Sequence, residues 1–340
     1  MPNKFWPATA IEGEDSLESI DGSELKDGDA AFVVTEHLVS FYRLNADSGA
    51  EHDPPEVVAP SVNAGTKRWL RLGVVGEEPV AFDAPTDIDG CLLWLDMSDT
   101  ETMDLGASDT ILSVSNKAAL ELPQMPYNHP DQKPVYIADA INGLGAAKWT
   151  DTGRQSIIYS DEWNGFPLPE SASGYTGFMV IHAEVSGHSG NQILLEVSNP
   201  DPWDTIAKLM FWDGEWGGEV GPSGAWVETA FHFEETKLLG FDVESEGGFS
   251  VLTDGEEVES GTESASFSNS DLVIHIGGND IYGFANASVP RETFFCEILL
   301  YTRKLSTEER QVIEGYLAHK WGIDGKLPAN HPFKNNAPGT

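Results

Sequence analysis

Between residues 199 and 226 the sequence sets Trp203, Trp212, Trp216 and Trp226 among Gly214, Gly217, Gly218, Gly221 and Gly224, with Asp201, Asp204, Asp213, Glu215 and Glu219 interspersed. Sugars present C–H faces that stack on indole rings, and hydroxyls that bond to carboxylates and amides. Tryptophan with acids on a glycine-rich segment therefore suits glycan capture. A second segment, residues 277–286, supplies Asn279, Asp280, Tyr282 and Asn286. The candidate glycan-binding residues are Trp203, Asp213, Glu215, Trp216, Asn279, Asp280, Tyr282 and Asn286. Trp203 and Trp216 are expected on loops. Trp212 and Trp226 fall in strand-like runs, where a core role is expected instead.

Other chemistries find less support. Glycoside hydrolysis needs two carboxylates about 5–9 Å apart across a cleft. The nearest string is Glu215-Trp-Gly-Gly-Glu219, whose glycines point to a loop rather than a rigid strand holding two acids in register. The histidines show neither metal nor triad spacing, and there is no Gly-x-Ser-x-Gly and no P-loop. The chain is therefore not expected to be an enzyme. The catalytic set is empty, and Ca2+ is the one cofactor the acidic composition allows, without a compact metal-loop pattern.

The 340 residues carry a net charge of −37. Residues 155–290 hold two basic residues, Lys208 and Lys237, against 23 acidic ones, a local net charge of −21. Such a surface repels nucleic acid and anionic membrane, and disfavours strongly anionic polysaccharides. No run of eighteen apolar residues is present, so no membrane insertion is expected. The opening Met1-Pro-Asn-Lys-Phe-Trp6 lacks an apolar signal core, so export by a cleaved peptide is not expected. Two cysteines, Cys91 and Cys296, are too few for a disulfide framework. Two buried free thiols are expected, with a Cys91–Cys296 bridge as the alternative.

The elements that must carry these segments read as all-β. Residues 1–22 are polar and acidic and are expected as a flexible or extended arm. Residues 23–75 suggest a small β module, with strands at 30–35 and 38–44. Residues 76–90, rich in Gly, Pro and acids, read as a linker. Strands are expected near 176–185, 192–197, 207–212, 226–234, 237–243, 248–253 and 271–277, with Asp254-Gly255 as a two-residue hairpin turn. Residues 293–301 form an apolar strand. Ser306 and Glu309 then make a capping box, and Val312, Ile313, Tyr316 and Leu317 recur at helical spacing. Gly322 and Gly325 end that helix. Tyr316, His319 and Trp321 are expected to clamp it to the sheet rather than to line a pocket.

The closing segment, with Thr293-Phe-Phe-Cys-Glu-Ile-Leu-Leu-Tyr301, Leu305-Ser-Thr-Glu-Glu-Arg310, Gly315-Tyr-Leu-Ala-His-Lys-Trp321 and Leu327-Pro-Ala-Asn-His-Pro-Phe333, resembles the end of laminin-G-like, concanavalin-type jelly-roll domains of phage tail and fibre proteins and bacterial surface proteins. Cys91-Leu-Leu-Trp-Leu-Asp-Met-Ser-Asp99 resembles the opening strand of the same family, so the resemblance brackets residues 91–334. Leu25-Lys-Asp-Gly-Asp-Ala-Ala-Phe-Val-Val34, Phe41-Tyr-Arg-Leu44 and Gly65-Thr-Lys-Arg-Trp69 resemble a short module near the front of many phage fibre proteins. The resemblance implies a small N-terminal β module for virion attachment or oligomerisation, then a laminin-G-like jelly-roll sandwich with one C-terminal helix. It implies a tail-fibre or spike subunit, assembled in the host cytoplasm into the virion. Such a subunit would form a homotrimer, contact other virion structural proteins and bind a host-surface glycan. The rival readings are a decoration protein without a ligand and a polysaccharide depolymerase. In this family the first and last strands are expected to pair.

Overall fold

A computed structural model describes residues 4–11, 13, 16–34, 38–52, 54, 57–76, 82–122, 133–149, 157–159, 166–167, 172–183, 191–198, 205–212, 215–220, 225–230, 235–244, 248–261, 271–277 and 293–339. The chain divides into two compact units, Met1–Val80 and Ala81–Thr340. It is all-β apart from short 3-10 turns and one C-terminal helix. None of its described helices is long and apolar enough to cross a membrane.

The first unit is one sheet. Its strands are β1 (Phe5–Ala8), β2 (Ala30–Val34), β3 (Leu38–Asn45), β4 (Val57–Val58) and β5 (Arg68–Gly76), in the order β1-β2-β3-β5-β4. Alternation explains the burial. Ala31, Val33, Tyr42, Leu44, Val58 and Trp69 point to one side, where Leu17 and Leu25 close a small core. Of the segment 1–22, expected as a flexible or extended arm, residues Phe5–Ala8 are an extended strand that joins the sheet. Residues 5–8 pair in parallel with β2. The Asp29 carboxylate fixes that entry by accepting the Lys4 amide at 2.8 Å and the Lys26 amide at 3.0 Å. Such anchoring by single side chains leaves no periodic signal in the sequence.

The second unit is a jelly-roll-type sandwich. Its strands run β6 (Cys91–Asp96), β7 (Met103–Leu105), β8 (Ile111–Val114), β9 (Val135–Ile141), β10 (Leu144–Trp149), β11 (Ile157–Tyr159), β12 (Phe166–Pro167), β13 (Gly174–Ala183), β14 (Asn191–Ser198) and β15 (Thr205–Trp212). They continue with β16 (Glu215–Val220), β17 (Ala225–Ala230), β18 (Thr236–Glu244), β19 (Gly248–Thr253), β20 (Glu256–Gly261), β21 (Asp271–Ile276) and β22 (Thr293–Tyr301). One sheet has the order β20-β19-β18-β13-β22-β10-β9, with β6 also paired to β22. The other has the order β11-β21-β14-β15-β16-β17, with β12 paired to β21. Met179, Ile181, Leu239, Phe241, Phe295 and Leu300 of the first sheet share one core with Leu195, Val197, Leu209, Ile274 and Ile276 of the second. Gly177 sits where a Cβ would come within 2.3 Å of the Phe241 ring, so the glycine makes room for that aromatic in the core. Asp254 and Gly255 have φ of 52° and 82°, as a type I′ hairpin turn requires.

The first and last strands do pair. Glu297 lies opposite Asp96, Leu299 opposite Trp94, and Tyr301 opposite Cys91. This register separates the cysteines, because Cys296 lies five positions along β22 from the residue facing Cys91. At about 3.3 Å per residue that is roughly 16 Å, far beyond disulfide reach. Both thiols are free. Burial pushes Cys91 up to about 12 and Cys296 well above its ordinary value. The thiolate is the reactive form, so alkylation of the native protein by iodoacetamide at mildly alkaline pH should be negligible. Mass spectrometry should show two adducts only after denaturation.

Helix α1 (Thr307–Lys320) covers the outer face of the first sheet. Ser306 Oγ accepts the Glu309 amide and the Glu309 carboxylate accepts the Ser306 amide, so the capping box is formed. Val312, Ile313 and Leu317 are buried, and Gly322 at φ 66° turns the chain away. The glycine-rich segment expected as a loop around 216 is instead β16, the middle strand of a meander. Two glycines in a row weaken the strand signal, and pairing on both sides supplies what propensity lacks.

Candidate functional site

Six of the eight candidate glycan residues, Trp203, Asp213, Asn279, Asp280, Tyr282 and Asn286, lie outside the described residues. The other two, Glu215 and Trp216, open β16, so the loop expectation for Trp216 is corrected. The register of the meander sorts its residues by face. Leu209, buried in the core, lies opposite Gly218, and Ala207 lies opposite Val220. By the same alternation Trp216, opposite Phe211 and Thr229, falls on the core side of the sheet. The other alternation holds three rows. Trp212 faces Glu215, Met210 faces Gly217, and Lys208 faces Glu219, which in turn faces Trp226. These rows lie on the face away from Leu209. The pleat thus places two tryptophan–glutamate pairs on that face, one on each side of Gly217. Directly opposite residues in such a pair have Cβ atoms about 5 Å apart.

Among the described residues, a densely bonded polar cluster lies under α1. The Glu297 carboxylate is fully buried on β22. It accepts Trp94 Nε1–H at 2.7 Å, Tyr316 O–H at 2.8 Å and Trp321 Nε1–H at 2.8 Å. Lys320 Nζ stands 2.7 Å from Glu297 and 2.7 Å from Asp96, bridging the two carboxylates. Lys117 adds contacts of 3.2 Å to Asp96 and 2.7 Å to Asp99, and its ammonium lies 4.5 Å from the centre of the Trp94 ring. Burial pushes the Glu297 carboxyl up, against the pull of Lys320. At Asp96 burial acts the same way but is outweighed by Lys320, Ser98 and Lys117, which hold that carboxyl below its usual range. Four donors, from Trp94, Tyr316, Trp321 and Lys320, converge on the buried Glu297, and Lys320 also offsets the like charge of Asp96 opposite it, so the Glu297 oxygens are spoken for. The cluster locks the helix to the first and last strands.

The expectation for Tyr316 and Trp321 as clamping aromatics agrees with this geometry. His319 extends the clamp, donating from Nε2 to the Phe333 carbonyl at 2.8 Å and holding the tail. The sequence did carry a sign of this centre. Glu297 is a lone acid inside the apolar run from Thr293 to Tyr301, and Trp94 and Asp96 sit two apart on the strand that pairs with it. No group of three or more His, Cys, Asp or Glu among the described residues is arranged to hold a metal ion.

Neither a protein-family model nor a curated protein sequence matches the chain. Among solved structures, it is similar to the Trypanosoma rangeli sialidase in complex with sialic acid, with a TM-score of 0.48, 10% identity, and coverage of 87% of this chain and 45% of that one. It is also similar to the binding domain of botulinum neurotoxin DC in complex with SialylT, with a TM-score of 0.48, 7% identity, and coverage of 67% and 51%. The receptor-binding domain of botulinum neurotoxin D follows at TM-score 0.45 and 11% identity, covering 66% and 52%. The chain spans about half the length of these structures. Likeness at this level assigns no ligand, which must be sought in this chain's own residues.

Proposed function

We propose that this chain is a non-catalytic glycan-binding subunit of a bacteriophage fibre or spike, with the sandwich binding a host-surface glycan reversibly. The observation that carries the glycan reading is the pair of cross-strand partners, Trp212–Glu215 and Trp226–Glu219, set on the outward register of the meander around Gly217. Indole accepts the C–H face of a sugar, and a neighbouring carboxylate accepts its hydroxyls. The acidic excess over residues 155–290 selects neutral or amino sugars over polyanionic ones. The virion setting rests on the sequence resemblance of the opening, closing and front-end motifs. Display in three copies would raise avidity over a weak single site by ~100-fold or more.

The test is a glycan array on the intact protein, followed by titration of Trp212→Ala and Trp226→Ala on any glycan that binds. Each substitution should weaken binding roughly five- to 150-fold, from about 1–3 kcal/mol per lost stacking plane by analogy with base–aromatic stacking. Circular dichroism should be unchanged. Trp216→Ala, on the core-side register, should cost stability instead. Normal binding by both Trp212→Ala and Trp226→Ala would move the site off this face. An empty array would favour the decoration-protein reading, and release of reducing ends from host polysaccharide would favour a depolymerase.

A further inference from the structure

The N-terminal sheet has two faces, and only one is covered within its unit. On the other, the pleat aligns Phe5, Phe32, Val34, Phe41, Arg43 and Leu72. Phe5 is 60% exposed, Val34 44%, Phe41 39%, and Leu72, the extra residue of a bulge in β5, 68%. Phe5 and Phe32 already pack against each other with ring centres 5.3 Å apart. The apolar area left open is on the order of 400 Å², the size of the largest patch on a typical monomer, a patch that is often functional. No carboxylate falls on this face among the described residues, in a chain with 56 acidic residues. Its exposed cation, Arg43, makes no ion pair among the described residues.

We infer that this face is buried against the same face of further copies of this chain. The inference rests on the multicopy display proposed above and adds the surface that produces it. Charge selects the occupant. With a net charge of −37, two copies repel wherever acidic surfaces meet. The carboxylate-free sheet is the place where contact costs least, because apolar residues then meet apolar residues and no acid is desolvated. Arg68 shares this alternation but is half-buried and gives its donors to the Ala50, Gly65 and Lys67 carbonyls, so an anionic foreign partner would find one exposed arginine, Arg43, among apolar side chains, which is poor complementarity. The area also fits. The open apolar surface supplies about half of the roughly 800 Å² per partner of a standard interface, leaving the remainder to the half-buried Phe32, Val39 and Leu70 and to the rim. Two sheets packed face to face, or three around an axis, both satisfy it.

The experiment is the mass of the full chain in solution, by light scattering after gel filtration, at micromolar concentration and at low and high salt. The native chain should run as two or three copies. High salt should preserve or strengthen the assembly, since it screens the repulsion between acidic surfaces while leaving apolar contact intact. The double variant Phe41→Glu with Leu72→Glu should run as one copy, with unchanged circular dichroism and melting. Should that variant disturb the N-terminal unit, Leu72→Lys alone, at the most exposed position, must still lower the mass. Val62→Glu, exposed outside the strands of this sheet, should leave the mass unchanged. A native chain of single-copy mass overturns the inference, as does a folded double variant of native mass. Glycan binding through Trp212 and Trp226 is measured separately, so failure here leaves that reading standing and removes only the multicopy display.

Discussion

Glu297→Ala should destabilise the sandwich by about 3–5 kcal/mol, the usual cost of removing one partner from a buried ion pair. The side chain is fully buried and accepts from Trp94, Tyr316, Trp321 and Lys320. Deleting it leaves three neutral donors without their acceptor and the Lys320 ammonium with Asp96 as its one carboxylate partner in that cluster. Urea titration of the second unit should show the midpoint falling steeply. The control is the double variant Glu297→Leu with Lys320→Met, which removes both charges and fills the space. It should recover much of the loss, because a buried ion pair is held at the expense of desolvation. Equal loss in the single and double variants would mean that the indole and phenol hydrogen bonds, not the ion pair, carry the clamp.

The second large effect lies in the other unit. Trp69→Ala should unfold the N-terminal sheet while the sandwich stays folded. Trp69 is fully buried in a core of a handful of side chains, between Leu44 on β3 and Val58 on β4. Removing a buried tryptophan costs about 3–5 kcal/mol. That is comparable to the whole stability a core of this size supplies. Calorimetry should lose one transition and keep the other. A single cooperative transition that merely shifts would show that the two units do not unfold independently.

Much of the second unit was legible because its signals are local. Ser306 with Glu309 marks the helix start, Asp254-Gly255 marks a hairpin, and the apolar run 293–301 can only be a buried strand. The pairing of β6 with β22 is not local, and it was reached through the resemblance of the two end motifs. Other features were not legible. The glycines of β16 look like a loop because strand identity there comes from neighbours on both sides, not from its own side chains. The first strand of the chain, Phe5–Ala8, is held by Asp29, a single acid with no pattern around it. Face assignment in the meander also needed the register. Trp212 and Trp216 are four residues apart in sequence, so parity alone would place them together. The turn at residues 213–214 leads back through Glu215, opposite Trp212, and puts them on opposite faces.

The last strand of the sandwich is also its middle one. β22 separates β13 from β6 and β10, and it becomes available only when residue 301 has been made. On the ribosome, the N-terminal sheet is complete in sequence by residue 76, long before the sandwich can close. Until β22 arrives, β6, β10 and β13 each present an unpaired edge, the state in which growing chains associate wrongly. Closure joins residues some two hundred positions apart, which makes it slow. A nascent chain of this kind spends most of its synthesis with an open sheet, and its many carboxylates then serve a purpose other than solubility of the finished protein. They keep unfinished copies apart on neighbouring ribosomes until the strand that completes the sheet has been delivered.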